Sequence, residues 1–223
     1  MKTAILFGST GLIGSNLLEL LINNNDYEKI KIFTRTEIKI KHPKLEIYNI
    51  NFNELDSEKN KMIGDDCFFC IGTTRKQTPN KQNYTDIELN LPIKVSNITK
   101  ENNIKSFIYI SSGGANAKSK NLYLQNKGKA ENHIINLGFN FTAIIQPSLL
   151  LGNRIEFRLG EKIAQFIFKN LSFVFTGKLK SFKAIHAKTV AKAILKILRK
   201  NKSDIYFTSD KLEDLGNNYK YIN

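Results

Sequence analysis

Cysteine, histidine and arginine are scarce in this chain, and each scarcity removes a class of function. Two cysteines, Cys67 and Cys70, and three scattered histidines, His42, His133 and His186, supply no cluster of metal ligands. The cysteines spell C-x-x-C, but Cys67-Phe68-Phe69-Cys70-Ile71 reads as a buried strand, on which residues three apart point to opposite faces. Such a pair neither closes a disulfide nor shares a metal ion, so both thiols are expected to be packing. Tryptophan is absent, and no apolar run approaches the roughly 20 residues that cross a bilayer. An apolar strand begins almost at Met1, which leaves no room for a signal peptide; the expectation is a soluble, cytoplasmic chain.

The shortage of arginine qualifies the charge. The formal net charge is +14, yet of 34 basic residues only Arg35, Arg75, Arg154, Arg158 and Arg199 are arginine. Nucleic-acid readers lean on arginine for bidentate contacts, whereas lysine here is spread along the whole chain. No specific nucleic-acid partner is expected, and no protein partner can be named. Lys188, Lys192, Lys196 and Arg199 recur at helical spacing opposite Val190, Ala193, Ile194 and Ile197. That pattern is one apolar stripe on a sheet and one basic face in water.

What the chain does have is glycine after a strand. Thr3 to Phe7 reads as a buried parallel strand, and Leu17, Leu18, Leu20, Leu21 and Ile22 as a helix ending in Asn23-Asn24-Asn25. Between them lies Phe7-Gly8-Ser9-Thr10-Gly11-Leu12-Ile13-Gly14, with the spacing G-x-x-G-x-x-G. Strand, glycine turn and helix are the opening of a dinucleotide-binding fold. One glycine makes the tight turn, one lets backbone approach a pyrophosphate, and one lets helix pack on strand. The uncapped N–H groups and positive dipole end of the helix then face the phosphates.

A chain of 223 residues that is 41% hydrophobic can bury one α/β domain. Strands are expected at Lys29 to Thr34, Leu45 to Ile50, Asp66 to Ile71, Ser106 to Ile110, Phe141 to Gln146 and near Ile205. Helices are expected from Asn83 to Asn102 (with Pro92 straining its early part), from Asn121 through Ile135, from about Glu156 to Lys169, and from Ala187 to Lys200. A short extended piece, Phe182 to Ile185, and a polar C-terminal tail complete the reading. Alternating strands and helices predict a doubly wound parallel sheet, with residues 148–185 as a small substrate cap.

The second strand ends at Thr34-Arg35, where NAD-specific folds place an acid on the ribose 2′-OH. Arg35 instead offers a cation for a 2′-phosphate, so NADP(H) is preferred and NAD(H) is the second choice. An adenine ring could rest at Asn51-Phe52, and Gly72-Thr73 after the fourth strand would let a cofactor pass closely. Tyr123 and Lys127 stand four apart on a helix and share a face. A phenol is a poor acid–base catalyst at neutral pH, but an adjacent ammonium favours its phenolate. Ser111, at the end of the fifth strand, could orient a substrate carbonyl while Tyr123 gives the proton. Tyr27 and Lys31 repeat the spacing but run into a strand, where such residues do not meet.

The segments Cys70-Ile71-Gly72-Thr73-Thr74-Arg75, Ser111-Ser112 through Leu122-Tyr123-Leu124-Gln125-Asn126-Lys127-Gly128, and Pro147 through Arg154 with Arg158 resemble the atypical short-chain dehydrogenase/reductases. The likeness is closer to the TIP30 (Tat-interacting protein) type oxidoreductases, and the glycine spacing suits it. The resemblance implies an NAD(P)-binding Rossmann fold and a catalytic set of Ser111, Tyr123 and Lys127. It implies that Ser9 to Ile13, Arg35, Ile71, Gly72, Leu150 and Arg158 touch the cofactor; Gly8, Gly14, Asn51, Phe52, Thr73, Tyr123, Lys127 and Pro147 are expected to join them, with Lys127 reaching the nicotinamide ribose. Three departures from the pattern matter. Asn51 stands where an Asp is usual, Gln146 and Ser148 replace the usual Arg and Gly around Pro147, and Arg35 stands where an arginine pair is common. The expected activity is NADP(H)-dependent reduction of a small carbonyl or oxidation of an alcohol. The rival is a regulator that senses the cofactor; cofactor-sensing relatives commonly lack the Tyr/Lys pair.

Overall fold

The computed structural model describes residues 1–152, 184–199 and 204–219. In chain order it runs β1 (Lys2–Phe7), α1 (Leu12–Ile22), β2 (Tyr27–Thr34), β3 (Leu45–Asn49), a 3₁₀ helix (Phe52–Lys61), β4 (Asp66–Phe69) and α2 (Lys81–Thr85). A π-helical turn (Asp86–Asn90) leads into α3 (Leu91–Glu101), followed by β5 (Ser106–Ile110), α4 (Leu122–Asn136), β6 (Phe141–Gln146) and β7 (Leu150–Leu151). After residues 153–183 come β8 (Ile185–His186), α5 (Ala187–Arg199), β9 (Tyr206–Thr208) and α6 (Ser209–Asn217). Seven strands form one parallel sheet in the order β3-β2-β1-β4-β5-β6-β9, and β7 pairs with β8 apart from it. This is a Rossmann-like doubly wound fold, in which ligands sit beyond the carboxyl ends of the strands where the winding reverses, here between β1 and β4.

Strand alternation divides the apolar side chains between two layers. Ala4 and Leu6 of β1 join Ile30, Ile32 and Phe68 under α1, α5 and α6. Ile5 and Phe7 face the other way, with Phe33, Cys67, Phe69, Phe107 and Tyr109 under α3 and α4. On that second face, Tyr48, Phe33, Phe7, Phe69 and Tyr109 are register partners across five neighbouring strands. Their ring centroids lie 5.0 to 6.0 Å apart, so an aromatic row floors the carboxyl end of the sheet. Cys67 and Cys70 are buried in opposite layers and form no disulfide.

The helical run expected around Asn83 to Asn102 is present, with right-handed helical backbone at Thr85, Asp86, Asn90 and Leu91, and the perturbation expected at Pro92 takes the form of the π turn just before it, in which Leu91 N–H bonds Asp86 O across the wider spacing. Two expectations need correction. The fourth strand stops at Phe69 instead of Ile71, although Cys70 N–H still donates to Phe7 O at 2.9 Å and the Cys70-Ile71 backbone passes close to Gly8. The polar tail contains a helix, α6, whose Leu212 and Gly216 are buried, with Gly216 against Thr189 of α5. Tyr27, of the decoy pair, opens β2 and donates its buried hydroxyl to Asp66 at 2.7 Å. The helix expected at 156–169 and most of the cap lie outside the described residues, and among those described no helix is long and apolar enough to cross a membrane.

Candidate active site

The turn between β1 and α1 is built so that side chains would not fit. Gly8 has φ +81°, and a Cβ there would come within 2.7 Å of the Cys70 carbonyl carbon. A Cβ on Gly14 would lie 2.1 Å from the Gly8 carbonyl oxygen. Gly11 caps α1 without a side chain, which leaves the first N–H groups of the helix for a ligand. Ser9 is buried beside them, and its hydroxyl has no partner among the described residues. An uncapped helix end with an orphaned hydroxyl fits a bound phosphate group.

Next to this turn, Arg35, Asn51, Phe52, Ile71, Gly72 and Thr73 line a cavity of about 660 Å³. This is the size of a site for a nucleotide-sized ligand. These six were nominated from the sequence; others that line the cavity, among them Gln77, Asp86 and Asn90, were not. The Arg35 guanidinium lies 5.9 Å from the Phe52 ring centroid, a cation over the surface proposed for an adenine. Asn51 is occupied locally, accepting from Asn53 N–H and donating to Glu54. Lys94 also lines the cavity and pairs with Asp56 at 2.7 Å.

At the other end, Asn121 starts α4 by accepting the N–H groups of Tyr123 and Leu124. Tyr123 is partly exposed, whereas Lys127 one turn on is buried. The Lys127 ammonium donates to Ile110 O at 3.0 Å, lies 3.0 Å from Glu88 Oε2 and sits 4.8 Å from the Tyr109 ring centroid. Burial works against its charge, but Glu88, Tyr109 and Tyr123 together raise its pKa above the ordinary lysine value. Glu88 projects inward from the π turn, and its Oε1 accepts the Thr73 N–H at 2.5 Å.

Ser111 is placed differently from its expected role. It is buried, and its hydroxyl donates to Glu131 on α4, which also accepts from Gln146 at 2.9 Å. Burial raises the Glu131 pKa, while those two bonds and the Lys127 charge pull it back. Ser112 is only half-buried, and its hydroxyl makes a long 3.4 Å contact to Gly113 O. Sequence reading missed both buried acids. Glu131 had a signal: Tyr123, Lys127 and Glu131 recur every four residues on one face.

The segment after β6 closes over the strand ends. Pro147 O accepts Gly113 N–H at 2.9 Å, and Ser148 N–H donates to Ser209 at 2.8 Å. Leu150 pairs with Ile185, and Gly152 packs against Leu12 of the glycine turn. Arg158 lies outside the described residues.

Comparison with known proteins gives the family and the fold. A family described as NAD(P)H-binding matches residues 8–201. The chain is 32% identical over 197 residues to the mitochondrial protein FMP52 of Debaryomyces hansenii, covering 82% of this chain and 86% of that one. It is 29% identical over 177 residues to protein HTATIP2 of Rattus norvegicus, covering 76% and 72%. Among solved structures, UDP-glucose 4-epimerase of Thermotoga maritima superposes with a TM-score of 0.68 at 14% identity, over 96% of this chain and 81% of that one. UDP-glucuronic acid 4-epimerase of Bacillus cereus in complex with NAD gives 0.67 at 12%, over 92% and 77%. At such identities the structures share the fold alone.

Proposed function

The chain belongs to the NAD(P)H-binding family, and from that premise we propose that it is an NADP(H)-dependent oxidoreductase that reduces a small carbonyl compound or oxidises the matching alcohol. The observation that carries this reading is Lys127. It is an ammonium buried on the helical face of Tyr123 and clamped between the end of β5 and Glu88, which also holds the loop at Gly72-Thr73.

The cofactor, when bound, supplies or accepts the hydride. Ser9 and the N–H groups of the glycine turn would hold its pyrophosphate, Phe52 and Ile71 its adenine, and Arg35 its 2′-phosphate. In reduction, Tyr123 gives its phenolic proton to the substrate oxygen as negative charge develops there. The Lys127 ammonium stabilises the phenolate left behind; in oxidation the same phenolate takes the alcohol proton. Because the Ser111 hydroxyl is spent on Glu131, the group that orients the substrate oxygen is assigned to Ser112.

Tyr123→Phe removes one oxygen and should leave NADPH binding unchanged. Turnover across a panel of aldehydes and ketones should fall by roughly two to four orders of magnitude, the usual worth of a positioned acid. A parent that is active and a Tyr123→Phe variant that remains so would sink the assignment. A parent that binds NADPH and reduces nothing on the panel selects the regulator. Arg35→Ala should weaken NADPH binding by about tenfold to a hundredfold while leaving NADH nearly untouched, the worth of a hydrogen bond to a charged group. Fluorescence titration with both cofactors reads this, and equal losses would remove the 2′-phosphate argument.

A further inference from the structure

We propose that Arg75 determines which substrate this site accepts: its guanidinium takes a carboxylate, so the carbonyl compound turned over here also carries an acid group. This rests on the reading of Tyr123 as the proton donor. Arg75 closes the motif that begins at Cys70, and its neighbours there already have tasks. Cys70 is packing, Ile71, Gly72 and Thr73 line the cofactor cavity, and Thr74 Oγ1 accepts Gln77 N–H at 3.2 Å within the loop. Arg75 is the member left without one.

The loop that presents Arg75 is closed on itself and tied to the site. Thr78 N–H donates to Thr74 O at 2.8 Å, the Thr73 and Thr78 hydroxyls share a 2.8 Å hydrogen bond, and Thr73 N–H is held by Glu88, the partner of Lys127. From this loop the Arg75 guanidinium lies over the ring of Tyr84, 5.2 Å from its centroid. Tyr84 is buried on α2, and Thr85 beside it makes a long 3.4 Å contact with Asn126 of α4, the residue before Lys127. Burial pushes the Tyr84 pKa up, Glu88 and Tyr123 push it further, and Lys127 and Arg75 pull it back. Tyr84 is thus the common neighbour of Arg75 and of the proposed proton donor.

The charge of Arg75 is unanswered. Among the described residues Arg199 pairs with Asp26 at 3.1 Å, whereas Arg75 is exposed and has no carboxylate within ion-pair distance. Lys127 is balanced by Glu88 at 3.0 Å, so an incoming acid meets its free counter-charge at Arg75 and not at the lysine. A cation resting on an aromatic face is held in place while the N–H donors in its own plane stay available. Those donors form a fork that matches the two oxygens of a carboxylate, and one positive charge suits one negative charge. Arg75 takes part in no bond making. It fixes one end of the substrate while the carbonyl at the other end meets Tyr123.

The test is binding of oxo acids read by saturation-transfer NMR, with and without NADP+, the oxidised form, so that no acid is reduced during the measurement. Pyruvate, levulinate and phenylglyoxylate are each compared with their methyl esters on the parent, Arg75→Gln and Arg75→Lys. At least one acid should bind the parent more tightly than its ester. Arg75→Gln should weaken that acid by about tenfold to a hundredfold, the worth of hydrogen bonds to a charged group, and leave the ester unchanged. Arg75→Lys keeps the charge and loses the fork, so it should fall between the two. Arg75 is exposed, so both variants should melt with the parent; if Arg75→Gln does not fold, Arg75→Lys carries the comparison. A parent that binds no acid, or binds acids and esters alike, overturns the inference, and so does an acid preference that survives in Arg75→Gln. An acid preference that depends on Arg75 in a protein that oxidises no NADPH would refute the oxidoreductase reading and leave this inference standing. NADPH oxidation at equal rates with acids and esters would do the reverse.

Discussion

Glu88 and Glu131 are buried to nearly the same depth, 1% and 3% exposed; Glu88 faces Lys127 of α4, and Glu131, on α4 itself, faces Ser111 after β5 and Gln146 at the end of β6. They are nonetheless opposite kinds of acid. Glu88 looks at an ammonium and a backbone N–H. Glu131 looks at a hydroxyl and a side-chain amide, with Lys127 acting on it only at longer range. Depth alone therefore does not decide an acid's surroundings: one is paired with a cation, while the other has only dipoles as hydrogen-bond partners, and burial raises its pKa.

The contrast breaks most visibly through Lys127. Lys127→Met leaves the Glu88 carboxylate buried beside no cation, and losing one partner of a buried pair costs about 3–5 kcal/mol. Urea denaturation should show a loss of that size at pH 7, and a loss below about 1 kcal/mol would mean that the pair is not buried as described.

Glu131→Gln sharpens the other half. The Glu131 pKa is raised in the folded chain, so the folded state binds more protons than the unfolded one between the ordinary carboxylate value of 4.5 and the raised value. Stability contributed by this group is thus fully present below that window and lost as pH rises through it. A glutamine carries no proton to lose. The stability of Glu131→Gln relative to the parent should accordingly increase as pH rises above 4.5 and then level off, and a flat difference between pH 4 and 8 would contradict the shift.

The smallest effect is expected at Ser111. Ser111→Ala removes one donor to Glu131 and should cost about 1 kcal/mol, with turnover within a few-fold of the parent. Ser112→Ala should cost less stability and far more turnover; the reverse ranking would return the substrate-orienting role to Ser111.

Much of the frame was legible in the sequence because it depends on local signals. The glycine spacing after an apolar strand, the alternating elements, and Arg35, Phe52, Ile71 and Gly72 around one cavity all follow from residues near one another in the chain or from strand ends. Glu88 was not legible, since its partner is 39 positions away and a π turn had to redirect it. In sequence it is one acid between Ile87 and Leu89, and Pro92 marks a perturbed helix without saying that the perturbation is a π turn. Ser111 illustrates a different failure. The position of a serine at a strand end is readable, but whether its hydroxyl turns to the cleft or to Glu131 depends on a side chain from another element. The helix α6 was missed for a simpler reason: Leu212, Leu215 and Gly216 keep helical spacing inside a stretch whose polar composition hid it.

The placing of Cys67 and Cys70 gives each side of the sheet its own built-in reporter. The two sulfhydryls are three positions apart, yet one is enclosed by the layer under α3 and α4 and the other by the layer under α1 and α5. Burial pushes the Cys67 thiol well up, so it stays unreactive until water reaches it. The rate at which an alkylating reagent marks each position is then a measure of how often that layer opens. Equal rates would describe a sheet shed of both helical coats in one cooperative event, and unequal rates would identify the coat that loosens first.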